Sequence, residues 1–415
     1  PLHLRAAPGR GHVQHLRHPA LTPPSTVRPA LLAALGIASL LACAKPREAP
    51  HPAPDDYDPL ALAARTSRQT HNREATVPAQ CYTRTDGRAN PCWVCHTDIH
   101  PPNHRADWTL QVSYAFSEAG RVNHWSNVLR ERPPVASDLD DRAVLRWVRE
   151  DNYGPLRAAL ARIADYPGYR PDLDLHGGFD AEGFARDGSH WRAVRYKPFP
   201  GAFWPTNGST DDVMIRLPAA FRRDAAGRTS RDVYRLNLAL VEASIATAAS
   251  VTDGHLARAV EPVSEDLARF DLDGDGRVAG LVTHVEKLPS RYVGAASNVA
   301  LVRGLYPEGT EFLHSVRYLD PDAPGGTSVR LKELRYGRKV EFVDAAGLLH
   351  AYDEDQDERE RGRAPQHPGA ARVGFRNAFG WQWQGFIEDA RGRLRLQTDE
   401  EHQPCMGCHT SLGVT

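Results

Sequence analysis

Apolar residues in the stretch 138–165 recur at helical spacing, first as Leu139, Val144, Leu145 and Val148, then as Leu156, Leu160 and Ile163. Asn152-Tyr153-Gly154-Pro155 separates the two runs, so the pattern predicts a pair of helices. A shorter helix is predicted over 60–68 and a longer one over 232–249. From about Leu173 the texture changes to short segments rich in aromatic and β-branched residues, punctuated by Gly, Asn and Asp. Two hairpins are predicted there. In one, 339–343 and 348–352 flank Asp344-Ala345-Ala346-Gly347; in the other, 383–387 and 394–397 flank Ala390-Arg391-Gly392. The expected fold class is α+β, a small helical N-terminal region followed by a larger antiparallel β-rich domain.

The beginning of the chain reads as an export signal. Arg5, Arg10, Arg17 and Arg28, with no acidic residue among them, precede an apolar run over 30–42 that is too short to span a bilayer. The run ends at Leu40-Leu41-Ala42-Cys43, which resembles the lipobox of bacterial lipoproteins, where the cysteine is lipidated and becomes the mature N-terminus. The other reading is an ordinary signal peptide with an incidental cysteine. A lipid on Cys43 would hold the protein to a membrane surface without a spanning helix. Ala44 rather than Asp after the cysteine favours, by the same resemblance, the periplasmic side of the outer membrane; a soluble periplasmic or cell-surface protein is the alternative. The organisation expected is a signal over 1–43, a Pro/Ala-rich tether over 44–75, a helical region over 76–170 and a β-rich domain over 171–415.

Composition narrows the function classes. Lys and Arg total 51 against 52 Asp and Glu, so the chain lacks the basic excess that phosphate neutralisation needs, and nucleic acid is not an expected partner. Removing the signal takes four of the 51 basic residues and none of the acidic ones, which leaves 47 against 52 and a mildly acidic mature chain.

Chemistry concentrates in the cysteines. Of six, four form Cys92-Trp93-Val94-Cys95-His96 and Cys405-Met406-Gly407-Cys408-His409; Cys43 belongs to the export signal, and Cys81 is left over. In a CxxCH motif the two thiols add across the haem vinyl groups, and the histidine that follows falls beneath the iron. That pattern predicts two haem c groups, held by Cys92 and Cys95 with His96 as proximal ligand, and by Cys405 and Cys408 with His409. Two CxxC pairs with histidines could also bind zinc. Their wide separation, the His directly after each pair, and export favour haem.

The sixth iron ligand decides whether a haem carries electrons or admits a small molecule. With two methionines in the chain and Met406 inside an attachment loop, only Met214 could serve, so histidine is the expected distal ligand. Of 19 histidines, His314 in Phe312-Leu313-His314-Ser315-Val316 and His124 beside Trp125 are the leading candidates, followed by His71, His104 and His284. His100 and His402 lie so close in sequence to the attachment loops that reaching the far haem face looks difficult. Separately, Asp271, Asp273 and Asp275 alternate before Gly276 as in the first half of an EF-hand calcium loop, although Val282 stands at the twelfth position and only Glu286, folded back, could replace the missing carboxylate. The acidic run 353–358 lacks such glycine spacing and is expected to be a solvated loop.

The paired CxxCH motifs behind a lipobox-like signal resemble the di-haem c-type cytochrome lipoproteins of bacteria. The resemblance rests on Leu40 to Cys43, Cys92 to His96 and Cys405 to His409. It implies haem chemistry and export, and an electron carrier that exchanges single electrons with redox partner proteins of the cell envelope. The alternative is a haem oxidoreductase or peroxidase with one haem open to substrate. The long β-like intervening region departs both from compact cytochrome c domains and from the helical di-haem peroxidases.

Overall fold

The computed structural model describes residues 56–66, 140–193, 209–245, 258–323, 326–361 and 367–402. Three helices stand where apolar periodicity places them. In α1 (Pro59–Thr66) the Asp58 carboxylate accepts the N–H groups of Leu60 and Ala61. Asp140 caps α2 (Asp141–Val148) through Ala143 N–H. Asp151 receives the N–H groups of Tyr153 and Gly154 at the start of α3 (Tyr153–Arg162). Pro155 sits inside the first turn of α3, where a missing N–H is no loss, so the break between α2 and α3 falls at 149–152 rather than at the proline.

Among the described residues the fold is organised by a large antiparallel sheet of eight strands. They are β1 (Arg192–Ala193), β2 (Ser209–Arg216), β5 (Glu311–Leu319), β6 (Thr327–Lys339), β9 (Trp381–Glu388), β8 (Gly374–Arg376) and β7 (Gly369–Ala370), in that spatial order, with β10 (Leu394–Leu396) also paired to β9. Side chains alternate along each strand between two apolar clusters. Val213, Ile215, Phe312 and Trp381 join one cluster, with α4 (Arg231–Ile245) and the separate hairpin of β3 (Arg258–Ser264) and β4 (Leu281–Val285). Met214, Leu313, Leu334 and Phe386 join the other, with Tyr153, Leu156 and Leu160 of α3. Both faces of the sheet are therefore covered. The protein is a mixed α and β structure built on an antiparallel sheet, and no helix among the described residues is long and apolar enough to cross a membrane.

One predicted hairpin is present and one is not. Strands β9 and β10 pair antiparallel around a turn in which Asp389 accepts the N–H groups of Arg391 and Arg393, and Gly392 takes φ +82°. The segment 348–352, by contrast, belongs to a helix, α5 (Ala345–Glu360). Asp344 starts it, accepting Gly347 N–H on its side chain and Leu348 N–H on its carbonyl. Leu348, Ala351 and Tyr352 then bury one helical stripe against the first cluster. The acidic run that follows is the helix's continuation, not a loop, with Asp353, Glu354 and Asp357 exposed.

Two buried cations bind the sheet to its surroundings. Arg330 of β6, 3% exposed, reaches Glu388 at 3.0 Å, Glu150 at 2.6 Å and the carbonyls of Trp147 and Gly392, and its guanidinium lies 4.0 Å from the Trp147 ring centroid. Lys339, at the end of the same strand, is fully enclosed; its ammonium donates to the Phe379 carbonyl at 2.7 Å and lies 5.4 Å from the Trp381 ring centroid. Burial pushes the Lys339 pKa down from 10.5 to about 7, against a smaller opposing pull from Glu341. Between those two values the unfolded chain holds a proton that the folded chain lacks, so raising the pH stabilises the fold by at most about 1.4 kcal/mol per unit. Below pH 7 both states are protonated and the dependence disappears. Denaturant melts of wild type and Lys339→Met from pH 6 to 10 check this: the wild type gains on the variant between pH 7 and 10, and parallel curves would contradict it.

Candidate functional site

Strand β10 leads into a helical turn at 399–402 whose sequence specifies its own start. Thr398 and Glu401 form a reciprocal cap: Glu401 N–H donates to Thr398 Oγ1 at 3.2 Å, and Thr398 N–H donates to Glu401 Oε2 at 2.9 Å. Arg395 grips the same Glu401 carboxylate with two bonds of 2.8 Å. That guanidinium, with the Thr398 N–H, holds the Glu401 pKa below the usual carboxylate value although burial opposes it. Asp399 accepts Ala371 N–H at 2.7 Å and so ties the turn to the residue that follows β7.

The last residue of this turn is His402, 1% exposed, with its ring centroid 5.2 Å from that of Phe375. Its Nδ1 lies 3.0 Å from the Thr398 carbonyl. A carbonyl can only accept, so Nδ1 carries the proton and Nε2 carries the lone pair. Burial keeps the ring neutral by lowering its pKa. Nε2 is enclosed and has no hydrogen-bond partner among the described residues. Leaving such an atom unsatisfied costs about 1–3 kcal/mol. A neutral imidazole whose far N–H is fixed by a carbonyl and whose near nitrogen is bare is the arrangement a metal-bound histidine takes. In the sequence it stands three positions ahead of Cys405, which lies outside the described residues.

The other sequence candidates fall out as follows. His314 lies on β5, opposite Val213 of β2 and Arg335 of β6. Loss of hydration, then the Arg335 guanidinium, push its pKa down to about 3, so it too is a neutral imidazole. Met214 is packed inside the second apolar cluster, 1% exposed. In the acidic loop, carboxylate oxygens of Glu265, Asp271 and Asp273 lie within 4.8 Å of one another. Glu265 accepts the N–H groups of Leu272, Asp273 and Ala279, and the Lys287 ammonium sits 2.7 Å from Asp271. Asp275 stands outside this group, its carboxylate turned to Arg277 N–H. From the sequence only Glu286, folded back, could replace the missing carboxylate; in the structure Glu286 does lie beside Gly274, and the carboxylate grouped with Asp271 and Asp273 is Glu265 from upstream. Cys43, Cys92, Cys95, His96, His124, Cys405, Cys408 and His409 lie outside the described residues.

Sequence proximity alone set His402 aside. The Thr398-Asp399-Glu400-Glu401 capping signature immediately before it was the available signal that the histidine is mounted on a rigid turn.

A family model described as "-like lipoprotein" matches residues 65–415, which include both CxxCH motifs and His402. An uncharacterized lipoprotein of Aquifex aeolicus (strain VF5) is 33% identical over 375 residues, a match covering 84% of this chain and 60% of the relative. The chain thus spans about 60% of the length of the curated relative it matches. No solved structure matches. On the match over 65–415, the chain belongs to this lipoprotein family and, with it, to exported proteins anchored at a membrane.

Proposed function

We propose that this lipoprotein is a di-haem c-type cytochrome of the cell envelope, anchored through Cys43 on the periplasmic side of the outer membrane, that passes single electrons between redox partner proteins. The observation that carries the reading is the bare, buried Nε2 of His402 directly ahead of the second CxxCH motif. Haem held there and at Cys92 and Cys95 would supply the one-electron chemistry. The protein's part is to orient the imidazole, keep it neutral and exclude water: the Thr398 carbonyl fixes its tautomer, the Arg395–Glu401 pair fixes the turn, and Phe375 shields the ring.

Carbon monoxide separates a carrier from an oxidoreductase with one open haem. The full chain, produced in a host that matures c-type cytochromes and reduced with dithionite, is expected to show an unchanged Soret band under carbon monoxide. A carbonyl-haem spectrum from one of the two haems would contradict the carrier reading and favour the oxidoreductase.

A further inference from the structure

We infer that Arg222 and His190 form a binding site for a small tetrahedral oxyanion, of the class of phosphate and sulfate. The site is independent of the haem reading, and all of its residues lie in the described part of the chain.

It begins with a cation that has no carboxylate. Arg216, the last residue of β2, takes two: Nε and Nη2 meet Glu311 at 2.6 and 3.1 Å, and Nη1 meets Asp172 at 2.5 Å. Arg222 closes the helical turn Ala219–Arg222 that follows. Glu311, which attracts it, is committed to Arg216 and to the Tyr336 hydroxyl. The Arg222 Nε is enclosed and has no hydrogen-bond partner among the described residues. Loss of hydration outweighs the attractions acting on the guanidinium, so its pKa falls below the usual arginine value. A partly desolvated cation is costly unless an anion meets it. Arg222 is only half-buried, so an ion from solution can reach it.

His190 stands beside this guanidinium. Of the charges acting on its ring, Arg222 acts most strongly, ahead of Arg216 and Asp187. His190 is also half-buried, and its backbone takes φ +64°, a left-handed conformation uncommon for a residue with a side chain. The surrounding bonds hold it there. The Tyr234 hydroxyl donates to the His190 carbonyl at 2.9 Å and accepts Leu217 N–H at 3.4 Å, while Arg216 donates to the Ser189 carbonyl at 3.1 Å. The loop that carries His190 is thereby stitched to the segment that leads to Arg222. Strained backbone held in this way clusters at binding sites.

The guanidinium offers a planar fork that matches two oxygens of an oxyanion. Burial, Arg222 and Arg216 together keep the His190 ring neutral in the free protein, against the opposing pull of Asp187. An anion on Arg222 cancels the charge that acts most strongly on the ring, so the His190 pKa rises and binding takes up a proton. A dianion then faces two cations.

Sulfate tests this, because it carries no proton of its own near neutral pH and any uptake belongs to the protein. The full chain, in sulfate- and phosphate-free buffer at constant ionic strength, is titrated in a calorimeter. One saturable site per chain is expected. Arg222→Gln is expected to weaken it at least about tenfold. Arg186→Gln, which removes an exposed charge from the same loop as His190, is expected to leave it within about twofold. Proton uptake, read from the dependence of the binding heat on buffer ionisation enthalpy, is expected in wild type and absent in His190→Gln. Without sulfate, Arg222→Gln is expected to unfold at no lower denaturant concentration than wild type, and added sulfate is expected to stabilise wild type alone. No saturable binding, undiminished affinity in Arg222→Gln, or an equal loss in Arg186→Gln overturns the site. A variant less stable than wild type without sulfate overturns the unpaired state of Arg222, and binding without proton uptake overturns the part given to His190.

Discussion

Arg330→Ala is expected to destabilise the protein by about 3–5 kcal/mol, read as a shift in the denaturant midpoint. Arg330 is 3% exposed, and Glu388 beneath it has a side chain only 10% exposed. Truncation leaves that carboxylate buried without its cation, and it strips the Trp147 and Gly392 carbonyls of a donor at the same stroke. The loss also removes one of the ties between α2 and the sheet, because the same guanidinium holds Glu150 and packs on the Trp147 ring. Glu150 is exposed and contributes little by itself. Glu150→Ala is therefore expected to cost under about 1 kcal/mol, and equal losses for the two variants would contradict this ordering.

Sequence made the helices legible because each has a local start and a one-sided stripe. Asp140 ahead of α2, Asp151 ahead of α3 and the Leu156/Leu160 stripe are all local signals. The β9–β10 hairpin was legible for a related reason: Asp389 and Gly392 are turn residues with specific backbone duties. The predicted hairpin over 339–352 failed because Asp344-Ala345-Ala346-Gly347 reads equally well as a turn or as a helix cap followed by good helix formers. What decides it is the burial of Leu348, Ala351 and Tyr352 at i, i+3 and i+4, a contact made with distant residues of the first cluster. The long β5–β6 pairing is likewise non-local. Strands covered on both faces do not alternate apolar with polar, so their register cannot be read from the pattern.

The candidate site divides in the same way. The two CxxCH motifs are contiguous and chemically specific, so they stand out in the sequence. Whether a histidine is free to act as a ligand depends on its burial and tautomer, which no spacing rule reports. His402 emerges only once its Nδ1 is seen on the Thr398 carbonyl and its Nε2 is seen to be enclosed and bare. The acidic loop shows the same limit, since the carboxylate that complements Asp271 and Asp273 comes from Glu265 upstream of the motif.

The central claim is two covalent haems per chain, and intact mass spectrometry of the mature protein tests it most directly. Produced with a c-type maturation system, the wild type is expected to carry the mass of two haems that survive denaturation and acid–acetone extraction. Cys92→Ala/Cys95→Ala and Cys405→Ala/Cys408→Ala are each expected to carry one, because a haem without both thioethers leaves with the extraction. A wild-type mass equal to the bare polypeptide and its lipid, with zinc or no metal bound to the cysteines, would contradict the account.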